Sequence, residues 1–315
     1  MRAMRRIAQP LLPSALVLSL LLTACGATGG SPGGSPSPGG DGNGDLIDHP
    51  TGDDLIFSID YRGGFVPVEF IFSSTPTFVL LGDGRVVLTG AVPAIFPGPA
   101  LPPLLVGRLN EAGIQTVLRE IAATRQFGAD AEWRGAQNFV ADASDTVLTL
   151  HAEGRDAVVT VYGLGLLGVP GDNPPGVTAA EIEAHASLGR LVDRLTTLDA
   201  WLPDSAWAQR GMQPYEPSAM RLLVRNADND LPDDSGVENQ LIDWPTDDDP
   251  AAFGESAPFG DDQRCGVVSG EGAAAWYAAL SQANQLTRFV SGEHRYAVIV
   301  RPLLPYEPET CPEPT

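Results

Sequence analysis

The tripeptide Gly82-Asp83-Gly84 stands between two apolar runs, Thr77 to Leu81 and Arg85 to Thr89. Asp-Gly between short runs of β-formers closes a tight antiparallel hairpin, which commits this part of the chain to an antiparallel sheet. Asp54 to Tyr61 (DLIFSIDY) and Phe65 to Phe72 (FVPVEFIF), parted by Arg62-Gly63-Gly64, carry β-formers in partial alternation and read as two more strands. A second hairpin is expected where Thr146 to His151 and Ala157 to Tyr162 flank Glu153-Gly154-Arg155. Between the hairpins, Ala91 to Val106 (AVPAIFPGPALPPLLV) holds five prolines. They remove amide donors and fix φ, so the run is expected to bar regular structure.

Two helices join these strands. Asn110 to Gln126 places Ile114, Val117, Leu118 and Ile121 at i, i+3, i+4 and i+7, the spacing of a helix with one apolar face. Thr178-Ala-Ala-Glu181 is a capping box at the start of a second helix, whose face is Ile182, Leu188, Leu191, Val192, Leu195 and Leu198. A linker near Pro203 to Pro217 then leads to a smaller unit. Its expected parts are strand Ala219 to Arg225, an acidic loop Asn226 to Pro250, strand Cys265 to Val268, helix Gly270 to Asn284 and strand His294 to Arg301. The fold class is therefore α+β: antiparallel sheet segments with packed helices. Val268-Ser-Gly-Glu-Gly echoes Leu109-Asn-Glu-Ala-Gly at the helix starts; the echo reads either as distant duplication of one α+β unit or as the shared grammar of such folds.

The first 24 residues are of another kind. Arg2, Arg5 and Arg6 precede an apolar run from Leu11 to Leu22, which ends in Leu22-Thr23-Ala24-Cys25. A basic start, a short apolar stretch and small residues before a cut describe a secretory signal, too short for a stable membrane span. Leu-Thr-Ala-Cys resembles the lipobox of bacterial lipoproteins. The resemblance covers only the leader, and it implies transfer of a diacylglyceryl group to the Cys25 thiol, cleavage before it and frequent acylation, as with palmitate, of the new amine. Two or three acyl chains hold a protein on a membrane durably. Gly26 to Gly44 (GATGGSPGGSPSPGGDGNG) has nothing to bury and reads as a flexible tether, about 25 Å in mean reach. The expected organisation is thus 1–24 signal peptide, 25–52 anchor and tether, 53–202 larger domain, 203–217 linker and 218–315 smaller unit.

All 19 basic residues of the 315 are arginine, against 40 acidic ones, for a net charge of −21. Chemistry that needs a lysine amine is excluded. Without the three leader arginines the net charge is −24, which excludes nucleic acid as a partner and repels an anionic lipid surface. With Cys25 taken by lipid, Cys265 and Cys311 are expected to form one disulfide, closing a loop of about 45 residues at a gain of ~4 kcal/mol if unstrained.

Four features bear on chemistry. Gly163-Leu-Gly165-Leu-Leu-Gly168 matches a dinucleotide fingerprint in letters. However, Pro170, Pro174 and Pro175 bar the helix that must start at those glycines, so no nucleotide is expected. Asp228, Asp230, Asp234 and Glu238 offer oxygen ligands at calcium-loop spacing, although Leu231 replaces the turn glycine and Val237 stands where the bidentate acid belongs. They read as a calcium site or as a solvated acidic loop. His49, His151, His185 and His294 are scattered, which leaves zinc unsupported and a hydrolase only as residues assembled from afar. Ile95, Phe96, Leu101, Leu104 and Leu105 are too many apolar residues to stand uncovered without a role. They read as cover for a sheet edge or as a groove for a partner or ligand.

The expected function is a non-enzymatic, lipid-anchored binding protein outside the cytoplasm, binding an unidentified protein or small molecule. An envelope hydrolase and a calcium-stabilised adhesive or structural module are the alternatives. Gly26 is not the aspartate that retains lipoproteins at the inner membrane of some Gram-negative cells, so an outer-membrane destination is open. Replacing Cys25 with Ser is expected to abolish incorporation of labelled palmitate into the protein, measured in the native host.

Overall fold

The computed structural model describes residues 46–167, 174–231, 236–257, 260 and 262–312. Cys25 and the tether lie outside them. Residues from Asp45 onward form one compact unit, and none of the described helices is long and apolar enough to cross a membrane. The fold is α+β with two sheets.

The first sheet begins with β1 (Leu55–Arg62), followed by a short helix α1 (Val68–Ser73) and the hairpin β2 (Phe78–Leu81) and β3 (Arg85–Thr89). In the hairpin Phe78 faces Leu88 and Val79 faces Val87. Its turn depends on Gly84, which has φ +85°; a Cβ there would meet the Leu109 carbonyl oxygen at 2.3 Å. Next come β4 (Leu104–Leu109), α2 (Glu111–Ala123), a three-residue β5 (Ala131–Trp133), the hairpin β6 (Asp145–Ala152) and β7 (Arg155–Tyr162), α3 (Ala179–Leu195) and β8 (Trp207–Pro214). Glu153 and Gly154 both have positive φ, as a two-residue hairpin turn requires. The strand order is β5-β7-β6-β1-β2-β3-β4-β8, antiparallel except for β5 beside β7.

The second sheet holds β9 (Ala219–Asn226), β10 (Leu241–Asp243), β11 (Glu255–Ser256), β12 (Gln263–Ser269), β13 (Arg288–Ser291) and β14 (His294–Pro302), with helix α4 (Glu271–Leu280) after β12. Its order is β10-β13-β14-β9-β12-β11. Each sheet thus has a helix followed by a hairpin. The hairpins enter in opposite order: β6, the first strand of its pair, is central, whereas β13, the first of the other, lies outward.

The expected helices form for the expected reasons. Asn110 caps α2 by accepting from the Gly113 amide at 3.1 Å. Ile114, Val117, Leu118 and Ile121 are buried against the first sheet together with Leu188, Leu191 and Leu195 of α3. The capping box is complete: the Glu181 amide donates to Thr178 Oγ1 and the Thr178 amide to Glu181 Oε2. Under α4, Trp276 is fully buried and meets Trp244 edge-on at 4.7 Å between centroids.

Three expectations are corrected. Phe65 to Phe72 is not a strand, because Pro67 interrupts the ladder and its carbonyl starts α1 by accepting the Phe70 and Ile71 amides. The proline run ends earlier than expected, at residue 103, since β4 takes Leu104 to Val106. Residues 203–217 are not a linker. They hold a 3₁₀ turn (Asp204–Ala206) and β8, an edge strand anchored by buried Trp207.

The first sheet takes in β8 from the stretch expected as a linker, and the two sheets interlock within one compact unit. Phe72 of α1 packs with Leu223, Ile299 and the disulfide cysteines on the second sheet, Ala100 and Leu101 pack beside the Trp276 core, and Leu304 and Tyr306 cover Val79, Leu81 and Val87 of the first sheet. Cys265 and Cys311 are bonded, with Cα atoms 6.0 Å apart. Tyr215 donates to the Leu303 carbonyl at 2.9 Å, and burial pushes its phenol up to about 12.

Two helical glycines make opposite predictions. A Cβ on Gly113 would lie 2.2 Å from the Ala206 carbonyl oxygen, whereas nothing lies within 4 Å of one on Gly189. In thermal or urea unfolding, Gly113→Ala should destabilise by about 1–3 kcal/mol, and Gly189→Ala should stabilise by about 0.5–1 kcal/mol.

Candidate functional site

A groove of about 700 Å³ lies where the two sheets meet. Its floor is Val298, Ile299 and Val300 of β14. One wall is α1 and the chain after it, with Glu69, Phe70 and Ser73 to Thr75; the other is the proline run, with Val92, Ile95 and Leu101. Tyr61, Thr77 and Thr89 close the end formed by β1 to β3.

The proline run stands as a strap fixed at Gly90, Gly98 and Ala100, and the stretch from Ala91 to Phe96 projects. Gly90 donates to the Pro103 carbonyl at 2.6 Å, Gln285 to the Gly98 carbonyl at 2.9 Å and Ala100 to the Ala283 carbonyl at 3.2 Å. Gly98 in turn donates to the Gln285 side chain at 3.0 Å. Its apolar residues divide into covered and exposed ones. Leu104 is buried and Leu101 packs on the second core, as cover for a sheet. Val92, Ile95 and Phe96 are exposed by 58 to 66%, and Val92 and Ile95 line the groove. Phe70, across the groove, is also more than half exposed.

The chemistry of the lining is spare. Among the described residues it contains one carboxylate, Glu69, no basic group, no histidine, cysteine or aspartate, and hydroxyls and amides from Ser, Thr, Tyr, Asn and Gln. Arginine nearby is already engaged: Arg301 lies bidentate on Glu307 at 2.6 and 3.0 Å and donates from Nε to the Ser74 carbonyl, and Arg62 pairs with Asp60.

The residues singled out for calcium take other partners. Asp228 Oδ2 meets His294 Nδ1 at 2.7 Å and Oδ1 accepts the Arg295 amide at 2.7 Å. These bonds and Asn226 hold its carboxyl down to about 2. Asp230 is gripped by Arg225 at 2.6 and 2.9 Å and by Arg288 at 3.2 Å. Glu238 is exposed, and Asp234 lies outside the described residues. Among the described residues no group of three or more His, Cys, Asp or Glu side chains is placed to hold a metal ion. The two aspartates instead pin the loop after β9 to β13 and β14.

Other candidates disperse likewise. Gly163 and Gly165 turn the chain with positive φ, and among the described residues the next helix starts at Ala179; Gly168 lies outside the described residues. His151 pairs with Asp156 at 2.5 Å beside the β6–β7 turn, and His294 with Asp228 at the start of β14. Neither lines the groove. His185 of α3 is 1% exposed, and neither ring nitrogen has a hydrogen-bond partner among the described residues. No family model, no curated protein and no solved structure matches the chain.

What sequence reading missed in the groove is the β14 floor and the contribution of α1. The apolar β14 pattern reads only as core, and α1 was expected as a strand.

Two histidines carry opposite pH dependences. Burial lowers the pKa of His185 below its ordinary 6.5, so the unfolded chain binds the proton first as pH falls. Stability from this residue is full above 6.5 and is lost as pH drops toward the folded pKa. His294, raised by Asp228, contributes fully below 6.5 and loses its contribution as pH rises through the folded pKa. Urea unfolding between pH 4.5 and 8.5 should show His185→Leu flattening the acid side and His294→Gln flattening the other.

Proposed function

We propose that the chain is a lipid-anchored protein of the bacterial cell envelope that binds an elongated apolar small molecule in the groove between its two sheets. The anchor rests on the leader and on Cys25. Binding rests on one observation: a groove of about 700 Å³ whose floor and strap are apolar and whose lining, among the described residues, offers no His, Cys or Asp. Such a volume fits a drug-sized ligand, and apolar walls with a few polar groups are the usual composition of ligand sites. General acid–base or nucleophilic catalysis needs titratable groups that converge, and Glu69 alone does not make such a set.

The placement of the chain start supports the reading. Ile47 is held on α2 by paired bonds with Gln115 at 2.8 and 2.9 Å, and the Asp48 carbonyl accepts the Glu153 amide at the β6–β7 turn. Tyr61, Thr77 and Thr89 lie at the other end of β1 to β3, roughly 20 Å away along the strands. The groove therefore lies at the end of the first sheet opposite Ile47 and Asp48. The acidic surface keeps the folded body off anionic headgroups.

Nile red, a neutral apolar dye, tests the reading. It should bind the mature protein with a fluorescence increase, and Val92→Ser with Ile95→Ser should weaken binding about tenfold or more at unchanged melting temperature. Leu101→Ser should instead cost about 2 kcal/mol of stability, because that side chain packs on the second core. Failure of the dye to bind, or binding indifferent to Val92 and Ile95, overturns the groove reading.

A further inference from the structure

The polar and aromatic groups of the groove are unevenly placed. Glu69 and Phe70 come from α1, and Tyr61 from the end of β1 beside it; all three line the groove, while its remaining lining is uncharged. Both rings retain exposed surface, 41% for Tyr61 and 56% for Phe70. We propose that this end of the groove selects apolar ligands that carry an ammonium head, with the alkyl part on Val298 to Val300 and under the proline strap. The inference rests on the groove reading above and adds the chemical class of the ligand.

An ammonium ion is drawn to the face of an aromatic ring by the ring's negative quadrupole, and a carboxylate beside the rings adds direct attraction. The surroundings reinforce this sign. Asp193 of α3 acts on Tyr61 and, with burial, raises its pKa, so the ring stays a neutral phenol. Of the arginines on this side, Arg225 senses Glu69 but is gripped by both oxygens of Asp230, Arg301 is held by Glu307, and Arg221 donates to the Thr310 carbonyl. None of the three lines the groove, so a carboxylate-headed ligand would meet Glu69 without a cation among the described lining residues. An uncharged ligand would gain the apolar floor and nothing from the rings' electrostatics.

The experiment compares three probes of equal chain length, octyltrimethylammonium, octanol and octanoate, by displacement of Nile red from the mature protein below micelle formation. Octyltrimethylammonium is expected to bind at least tenfold tighter than octanoate, with octanol between them. Glu69→Gln and the pair Tyr61→Leu with Phe70→Leu should each erase most of that preference and leave octanol affinity within about twofold. Glu153→Gln, at the far end of the first sheet, should leave the preference intact. A preference that survives Glu69→Gln and the ring replacements comes from the protein's general negative charge and overturns the proposal. Octanol or octanoate binding as tightly as the ammonium overturns it too, while the groove itself stands. If none of the three displaces the dye and the dye does not bind, the groove reading falls first.

Discussion

The fork between Arg301 and Glu307 is the constraint on which the joining of the two sheets depends. Arg301 is the residue after the groove floor, and its guanidinium engages both oxygens of Glu307 while Nε holds the Ser74 carbonyl. Glu307 also accepts the Leu304 amide at 2.8 Å. Both side chains are little exposed, 13% and 12%. A complete buried pair adds little net stability because desolvation offsets attraction, yet an unmatched charge left behind is costly. The pair therefore acts chiefly to fix register: three chain segments satisfy it together or not at all. The tail so positioned lays Leu304 and Tyr306 on the first sheet and carries Cys311 to Cys265 on the second.

From that register follows the groove. Ser73 to Thr75 form one wall because Arg301 holds the Ser74 carbonyl, and the floor is the stretch of β14 just before the same arginine. The opposite wall is built differently. A run with five prolines has few amides to donate, so it cannot be held as a strand; it is held by the amides it does have, at Gly90, Gly98 and Ala100. Proline removes much of the backbone freedom that a flexible loop would lose on binding. A strap of this composition keeps exposed apolar side chains in place at a low ordering cost.

How much of this was legible in the sequence follows the range of the interactions. Local signals were sufficient for the Asp83-Gly84 and Glu153-Gly154 turns, for Asn110 and Thr178 as caps, and for the faces of α2 and α3. In each, the deciding contact lies within a few residues. The disulfide was readable from cysteine arithmetic and compartment. β8 was not, because a polar edge strand has no second buried face to print an alternating pattern, and only Trp207 and the neighbours of Gly107 reveal its place. α1 failed as a strand because its β-forming letters outweighed Pro67, although a proline before a six-residue segment with one buried residue, Phe72, suits a single helical turn and a half. The groove was half visible: its strap is a feature of composition, whereas its floor is made by residues 200 positions away.

The charge reads differently once partners are known. With arginine as the only strong cation, acidic side chains are satisfied where the guanidinium fork fits, as at Asp230 and Glu307. Of the carboxylates that look like a calcium loop in sequence, Asp230 is a structural strut for this reason, while Asp228 is held by His294 and the Arg295 amide. The remaining acidic excess is spread over the surface, where salt screens it within about 8 Å at physiological ionic strength. Such a field speeds the arrival of cations in general and discriminates poorly among them. Inside the groove, on the proposed reading, the terms are different: among the described lining residues one carboxylate and two aromatic side chains would act on a ligand that leaves most of its water. Selectivity there depends on which groups line the site and little on the net charge of the body that carries it.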